Sequence, residues 1–184
     1  WDRPSIPMTG GTGEAIRVPV TVGEHSLVFT AVSMGNPHAV IFSDGVDGGR
    51  RMDFSVTALA QSVGPQMEVC PLFPQKTNVS FVVHDSAQRL QAAVWERGVG
   101  LTAACGTGAC AIAVAACLEK RTQAGRPISV ALPGGTLDIV VDPDFNDVQM
   151  NGPAARTFVA AVTLEHLADS GQSSGVSASG ELQK

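Results

Sequence analysis

Short β-rich runs separated by turn residues recur along this chain, and one stretch near residue 110 is apolar at almost every position. "AIRVPVTV" (15–22) and "SLVFTAVSM" (26–34) are β-rich runs separated by Gly23-Glu24-His25, which predicts a hairpin. In "GNPHAVIF" (35–42), Asn36-Pro37 behind Gly35 predicts a turn that feeds a short apolar strand, and "DGVDGG" then reads as loop. "DFSVTALAQSV" (53–63) has apolar residues at 56, 59, 60 and 63, the spacing of a short helix. Asp53 is its expected N-cap and Gly64-Pro65 its expected end. "TNVSFVVHD" (77–85) and "RLQAAVWERG" (89–98) predict a second hairpin. "PISVALPGGTLDIVVD" (127–142) predicts a third, turning at Pro133-Gly134-Gly135. "VQMNGPAARTFVAAVTL" (148–164) predicts two more strands, broken at Gly152-Pro153. Residues 1–14 read as an irregular lead-in.

A helix is predicted over 106–120, with the chain stopping its helical course near Gly125. From Ala109 to Leu118 it has no polar face; polarity returns at Glu119. A helix apolar all round is buried on all sides, and its small side chains let strands approach closely. The expected fold class is therefore α+β: antiparallel strands forming a barrel-like sheet wrapped around a buried central helix. The expected domain is 1–167, with 168–184, "ADSGQSSGVSASGELQK", a disordered Ser/Gly-rich tail.

Composition narrows the function. The chain has 184 residues, 44% hydrophobic and 16% charged, enough apolar mass for a core of one large or two small domains. Net charge is −5 with only 12 Lys and Arg and no basic run, so no nucleic-acid partner is expected. No apolar run approaches the roughly 18 residues of a membrane span. Cysteines stand at 70, 105, 110 and 117, none in a C-x-x-C pair, so no metal site is expected. With no signal-peptide pattern, the expected location is cytoplasmic, with free thiols. The start at Trp1 in Pro- and Gly-rich text leads to the expectation of a piece of a longer protein.

Cys105 precedes Gly106-Thr107-Gly108 at the mouth of the apolar helix. Unpaired N–H groups at a helix N-terminus bind anions such as carboxylate and favour thiolate, which lowers a thiol's pKa. Cys105 so placed suits a base, an acid or a nucleophile. Cys110 and Cys117, seven apart on one helical face, read as core, and Cys70 beside Pro71 as structural. Glu68 and the remaining carboxylates read as surface groups.

"WERGVGLTAACGTGACA" (95–111), "MGNPHAV" (34–40), "FPQKTNVSFV" (73–82) and "LPGGTLDIVV" (132–141) together resemble the C-terminal half of diaminopimelate epimerase, over about residues 4–164. The resemblance implies a cofactor-independent, metal-free enzyme that interconverts LL- and meso-2,6-diaminopimelate for lysine and peptidoglycan synthesis. Two cysteines on opposite faces of the stereocentre act as base and acid. It implies Cys105 as one catalytic thiol, conventionally the proton acceptor. Gly106 and Thr107 would hold the α-carboxylate through main-chain groups. Asn36, Asn78, Glu96 and Arg97 would bind substrate, and His38 and Glu96 would tune the cysteine pair. Each of these has a plainer alternative: Asn36 as a turn residue, His38 as a satisfied core histidine, Asn78 bonding the backbone, and Glu96-Arg97 as a solvated pair. The resemblance also implies a homodimer when complete.

The sequence departs from the family in one respect that matters. The other catalytic thiol belongs to a Gly-Cys-Gly-Asn-Gly-like block of the N-terminal half, and no such block occurs here. The missing half is thus an expected partner, and strand 155–164 is expected to pack on it. Leu101 stands where the family usually has Glu. The other readings are a non-enzymatic binding domain of the same fold, or a related racemase or isomerase.

Overall fold

The computed structural model of the chain describes residues 2–49 and 55–160. The chain divides into two units, Trp1–Pro153 and Ala154–Lys184. In the first, nine strands form one sheet: β1 (Val18–Val22), β2 (His25–Ser33), β3 (Pro37–Phe42), β4 (Asn78–Ser86), β5 (Arg89–Glu96), β6 (Gly100–Thr102), β7 (Ile128–Leu132), β8 (Gly135–Val141) and β9 (Val148–Asn151). The order is β1-β2-β3-β4-β5-β7-β8-β9, with β6 paired to β5. Among the described residues two α-helices accompany it, α1 (Val56–Glu68) and α2 (Gly106–Leu118).

The three expected hairpins form, but the sheet is mixed rather than all-antiparallel. β3 pairs parallel with β4, and β5 parallel with β7. Each parallel step requires a crossover, and the helices lie in the two crossovers: α1 between β3 and β4, α2 between β5 and β7.

Side-chain alternation explains the layering. Ala39, Ile41, Val79, Phe81 and Ala93 pack with Leu59, Ala60, Val63 and Met67 of α1. Their neighbours Val40, Phe42, Val82, Ala92 and Val94 pack with α2. The central strand β3 is buried at every position because both faces of the sheet are covered there. From Gly108 to Cys117 every residue of α2 is buried, and the helix touches β2, β3, β4, β7, β8 and β9. Alanine supplies helix propensity and little bulk, which permits this close approach. Cys110 and Cys117 belong to that core, as expected.

Past its C-terminus, α2 is anchored by charge. Glu119, its side chain 3% exposed, accepts from Thr30 Oγ1 (2.7 Å), Arg17 Nη1 (2.9 Å) and Arg121 Nε (2.9 Å). Arg121 also bridges to Asp44 and stacks over Phe42. Burial without these three donors would be costly.

Four other expectations are corrected. α1 is capped by Ser55, whose Oγ accepts from the Ala58 N–H at 3.2 Å; Asp53, the expected cap, lies outside the described residues. α1 does not stop at Gly64-Pro65 but runs to Glu68. Gly64 is selected by packing, since a Cβ there would lie 2.8 Å from Trp95. Pro65 frees only the carbonyl of exposed Gln61, where water can take the bond. α2 ends at Leu118 rather than 120, because Lys120 turns left-handed (φ 57°) and the Arg121 N–H returns to the Ala116 carbonyl. In the second unit, 154–160 forms no strand; residues 161–164 of the expected strand and the expected tail 168–184 lie outside the described residues.

Candidate active site

The register of the sheet assembles the site. Val32 pairs with His38, and His38 with Asn78. Val79 pairs with Trp95, so Asn78 and Glu96 follow at the same end of the sheet. Val79 and Trp95 face α1, so by alternation Asn78 and Glu96 lie on the α2 face, with His38 beside them. α2 starts at this same end. His38 and Asn78, far apart in sequence, thus share one row because β3 and β4 are parallel, each contributing its first residues.

Cys105 is the N-cap of α2, buried at 7% exposure. Its Sγ lies 3.6 Å from Thr107 Oγ1 and receives the Gly108 N–H. Gly106 and Thr107 supply first-turn amides, which have no intrahelical acceptor. Glycine is needed at 108, where a Cβ would lie 3.2 Å from both the Cys105 Sγ and Val94. Over Gly106 sits the thioether of half-exposed Met150 from β9, a wall that sequence reasoning did not single out.

The thiol's electrostatics correct the expectation of a lowered pKa. Burial pushes the Cys105 thiol up, more than the Thr107 hydroxyl and Gly108 N–H pull it down; the Glu96 carboxylate, close enough to accept the thiol proton, raises it further. Burial likewise raises Cys110 and Cys117. Cys70 packs in the α1-side core, across the sheet from Cys105. None of the other three cysteines therefore faces Cys105 across an open site.

The remaining candidates form a polar brace. Asn78 Nδ2 donates to the Pro37 carbonyl (3.0 Å), and Asn78 Oδ1 accepts from the Arg97 N–H (2.9 Å). Asn78 does bond the backbone, and by doing so it ties the β3 start to the Glu96-Arg97 turn; one amide N–H is left over. Arg97 Nη1 donates to the Gln75 carbonyl at 2.9 Å, and both Glu96 and Arg97 are half-buried rather than solvated. His38 is fully buried and its Nε2 meets Asn36 Oδ1 at 3.0 Å, while its Nδ1 is buried without a partner. Burial first, and the Arg97 charge second, lower His38 to about 4.

Glu68 is the largest surprise: it is a buried clamp, not a surface group. Its carboxylate accepts from Trp95 Nε1 (2.8 Å), the Gly98 N–H (3.1 Å) and Lys76 Nζ (3.3 Å), and its pKa is lowered, chiefly by the Trp95 bond. It holds the turn that carries Glu96 and Arg97. A second support is Gly134, in the β7–β8 turn. Its N–H reaches the Ala103 carbonyl at 2.6 Å, and a Cβ would lie 2.9 Å from that oxygen. The LPGG motif thus props the segment that leads into Cys105. A separate pocket of about 380 Å³, lined by Val32, Met34, Val114 and Phe145–Val148, does not include Cys105.

Solved structures share this architecture. A probable proline racemase from Agrobacterium radiobacter and a hydroxyproline epimerase from Agrobacterium vitis each superpose with a TM-score of 0.50 at 14% identity. Each match covers 69% of this chain, and 41% and 40% of those chains. At that identity the likeness concerns the fold: a mixed α+β sheet with two helices. The sequence profile described as "Diaminopimelate epimerase" matches residues 30–157, and the chain belongs to this family. Diaminopimelate epimerase of Desulforudis audaxviator is 46% identical over 157 residues, 85% of this chain and 52% of that protein. The enzyme of Desulfitobacterium hafniense is 52% identical over 130 residues, 71% of this chain and 42% of that protein. The chain spans about half the length of the curated relatives it matches. Among the described residues, no helix is long and apolar enough to cross a membrane.

Proposed function

We propose that this chain is the C-terminal half of a cofactor-independent epimerase that interconverts LL- and meso-2,6-diaminopimelate. The observation that carries the reading is the meeting of Cys105, the first-turn amides of α2 and Glu96 at one end of the sheet. An α-proton is hard to remove because negative charge then develops on the α-carboxylate. Amides of Gly106 and Thr107 aimed at that carboxylate stabilise the charge where it forms. Asn36, Asn78, Glu96 and Arg97 surround the rest of a substrate with two polar ends.

Cys105 acts on one face of the stereocentre. In one direction it takes the proton as thiolate; in the reverse it returns it as thiol. The raised pKa in this chain favours the thiol form, which suits delivery. Inversion also requires a second thiol on the opposite face; Cys110 and Cys117 lie inside α2, in the same core as Cys105, and Cys70 packs in the core on the α1 side of the sheet. The missing N-terminal half, as partner, would supply it. The barrel-like wrapping of α2 belongs to the same proposal, supported by the contact of that helix with β2, β3 and β4 as well as with β7, β8 and β9.

The test is solvent exchange. In D2O, the isolated chain is expected to incorporate no deuterium at the α-carbon of diaminopimelate. Mixing it with the N-terminal half of a relative such as the D. audaxviator enzyme is expected to restore incorporation, read by mass spectrometry. Exchange by the chain alone would remove the need for a second half, and none by a verified complex of the halves would contradict the proposed activity.

A further inference from the structure

The turn from β5 to β6 runs through Glu96, Arg97, Gly98 and Val99, and each of its last three amides has a partner. The Val99 N–H closes the turn on the Glu96 carbonyl at 3.0 Å. The Arg97 N–H goes to Asn78 Oδ1 at 2.9 Å, and the Gly98 N–H to Glu68 Oε1 at 3.1 Å. Of the two central residues only Gly98 has a positive φ, at 76°, which is the sign of a type II turn. A Cβ at Gly98 would meet no atom within 4 Å, so glycine is selected there by φ and not by space.

A type I turn would close on the same Glu96 carbonyl. The two forms differ by a rotation of the peptide between the central residues, here Arg97–Gly98. In the rotated form the Arg97 carbonyl oxygen would face the Glu68 carboxylate in place of the Gly98 N–H. Acceptor would meet acceptor, and the turn would lift off α1. Glu68 cannot follow such a rotation. Trp95 Nε1 at 2.8 Å and Lys76 Nζ at 3.3 Å hold its carboxylate, and its own carbonyl takes the Thr77 N–H at 3.2 Å.

We propose that Glu68 is a positioning residue: from the α1 side of the sheet, across from Cys105, its carboxylate selects the type II form of this turn and so sets where Glu96 and Arg97 stand. This deepens the epimerase reading and rests on it for the roles of Glu96 and Arg97.

Two measurements decide it. The first is amide hydrogen exchange of the chain alone, read at Gly98 by NMR. Gly98 is exposed, so an unbonded N–H there would exchange as an open loop does. Protection of at least about tenfold is expected in the wild type, and its loss at position 98 in Gly98→Ala. Unprotected exchange at Gly98 in the folded wild type would overturn the proposal. The second uses the reassembled halves and separates placement from stability. Gly98→Ala opposes the positive φ and leaves Glu68, Trp95 and Lys76 in place. It is expected to raise KM for diaminopimelate about tenfold. Gly98→Asn, which adopts positive φ more readily, is expected to stay within about threefold of wild type. Glu68→Gln loses stability, but its oxygen serves the side where Gly98 and Lys76 donate together, so KM within about threefold of wild type is expected there too. Glu68→Leu, with no acceptor, is expected to match Gly98→Ala in KM. A KM that follows stability, worse in Glu68→Gln than in Gly98→Ala, would make Glu68 a fold residue only and overturn the proposal. If the reassembled halves show no activity, the epimerase reading fails, and exchange at position 98 still decides whether Glu68 holds the peptide.

Discussion

Replacing Cys105 with alanine in the reassembled halves is expected to reduce α-deuterium exchange by at least about 10³-fold, within the range attributed to a positioned acid or base. Neither of the two polar side chains that act on the thiol can do the same work. Thr107 carries a hydroxyl far too weakly acidic, and the Glu96 carboxylate is placed against the thiol. The fold should barely notice. Cys105 is small, and Cys→Ala removes one sulfur from a core edge that Gly108 already keeps narrow, at a cost of about 1 kcal/mol. Activity and stability therefore separate: urea denaturation near wild type with exchange lost. Cys110→Ala is the matched control. It deletes a sulfur from the same helix and core, and exchange is expected to persist.

The second large effect lies away from the thiol. Glu68→Leu is expected to destabilise the chain by about 3–5 kcal/mol, because Trp95 Nε1 and the Gly98 N–H lose their acceptor and Lys76 its partner. Glu68→Gln keeps one oxygen and loses the charge, and about 1.5–3 kcal/mol is expected. Urea denaturation followed by circular dichroism reads both. The pH dependence has a definite sign. Glu68 is lowered in the folded state, so its contribution is present above the ordinary carboxylate pKa and is lost as pH falls through that range toward the folded value. Glu68→Gln should abolish that acid-side slope. A flat acid limb in the unmodified chain would mean that the carboxylate clamp contributes little.

These two residues show what the sequence made legible. Cys105 announces itself through local grammar: a thiol, two glycines and an apolar helix in one run from Cys105 to Leu118. The partners proposed for it at 36, 38, 78, 96 and 97 come from the resemblance, and the sheet register brings 38, 78 and 96 to one end of the sheet. That register was not legible. Hairpins are local and were found, but the two parallel pairings join residues separated by long crossovers, and no local pattern specifies them. Glu68 was missed for a related reason. Its donors come from residues 76, 95 and 98, so its burial depends on how α1 lands on the sheet. Gly64-Pro65 looked like a stop because propensity is local, while the Trp95 surface that the helix packs on is not. The thiol's pKa was misjudged because helix-end charge was weighed without the burial and the Glu96 carboxylate that oppose it.

Of the four cysteines, we propose Cys105, at the N-cap of α2, as the reacting thiol, with Cys70, Cys110 and Cys117 serving only to pack the core. An aziridine analogue of diaminopimelate, whose ring opens on a thiol held at the stereocentre, tests it most directly when given to the reassembled halves and mapped by peptide mass spectrometry. Within this chain the adduct is expected on Cys105 alone, and it should be suppressed by excess diaminopimelate. An adduct on Cys70, Cys110 or Cys117 with Cys105 unmodified would contradict it.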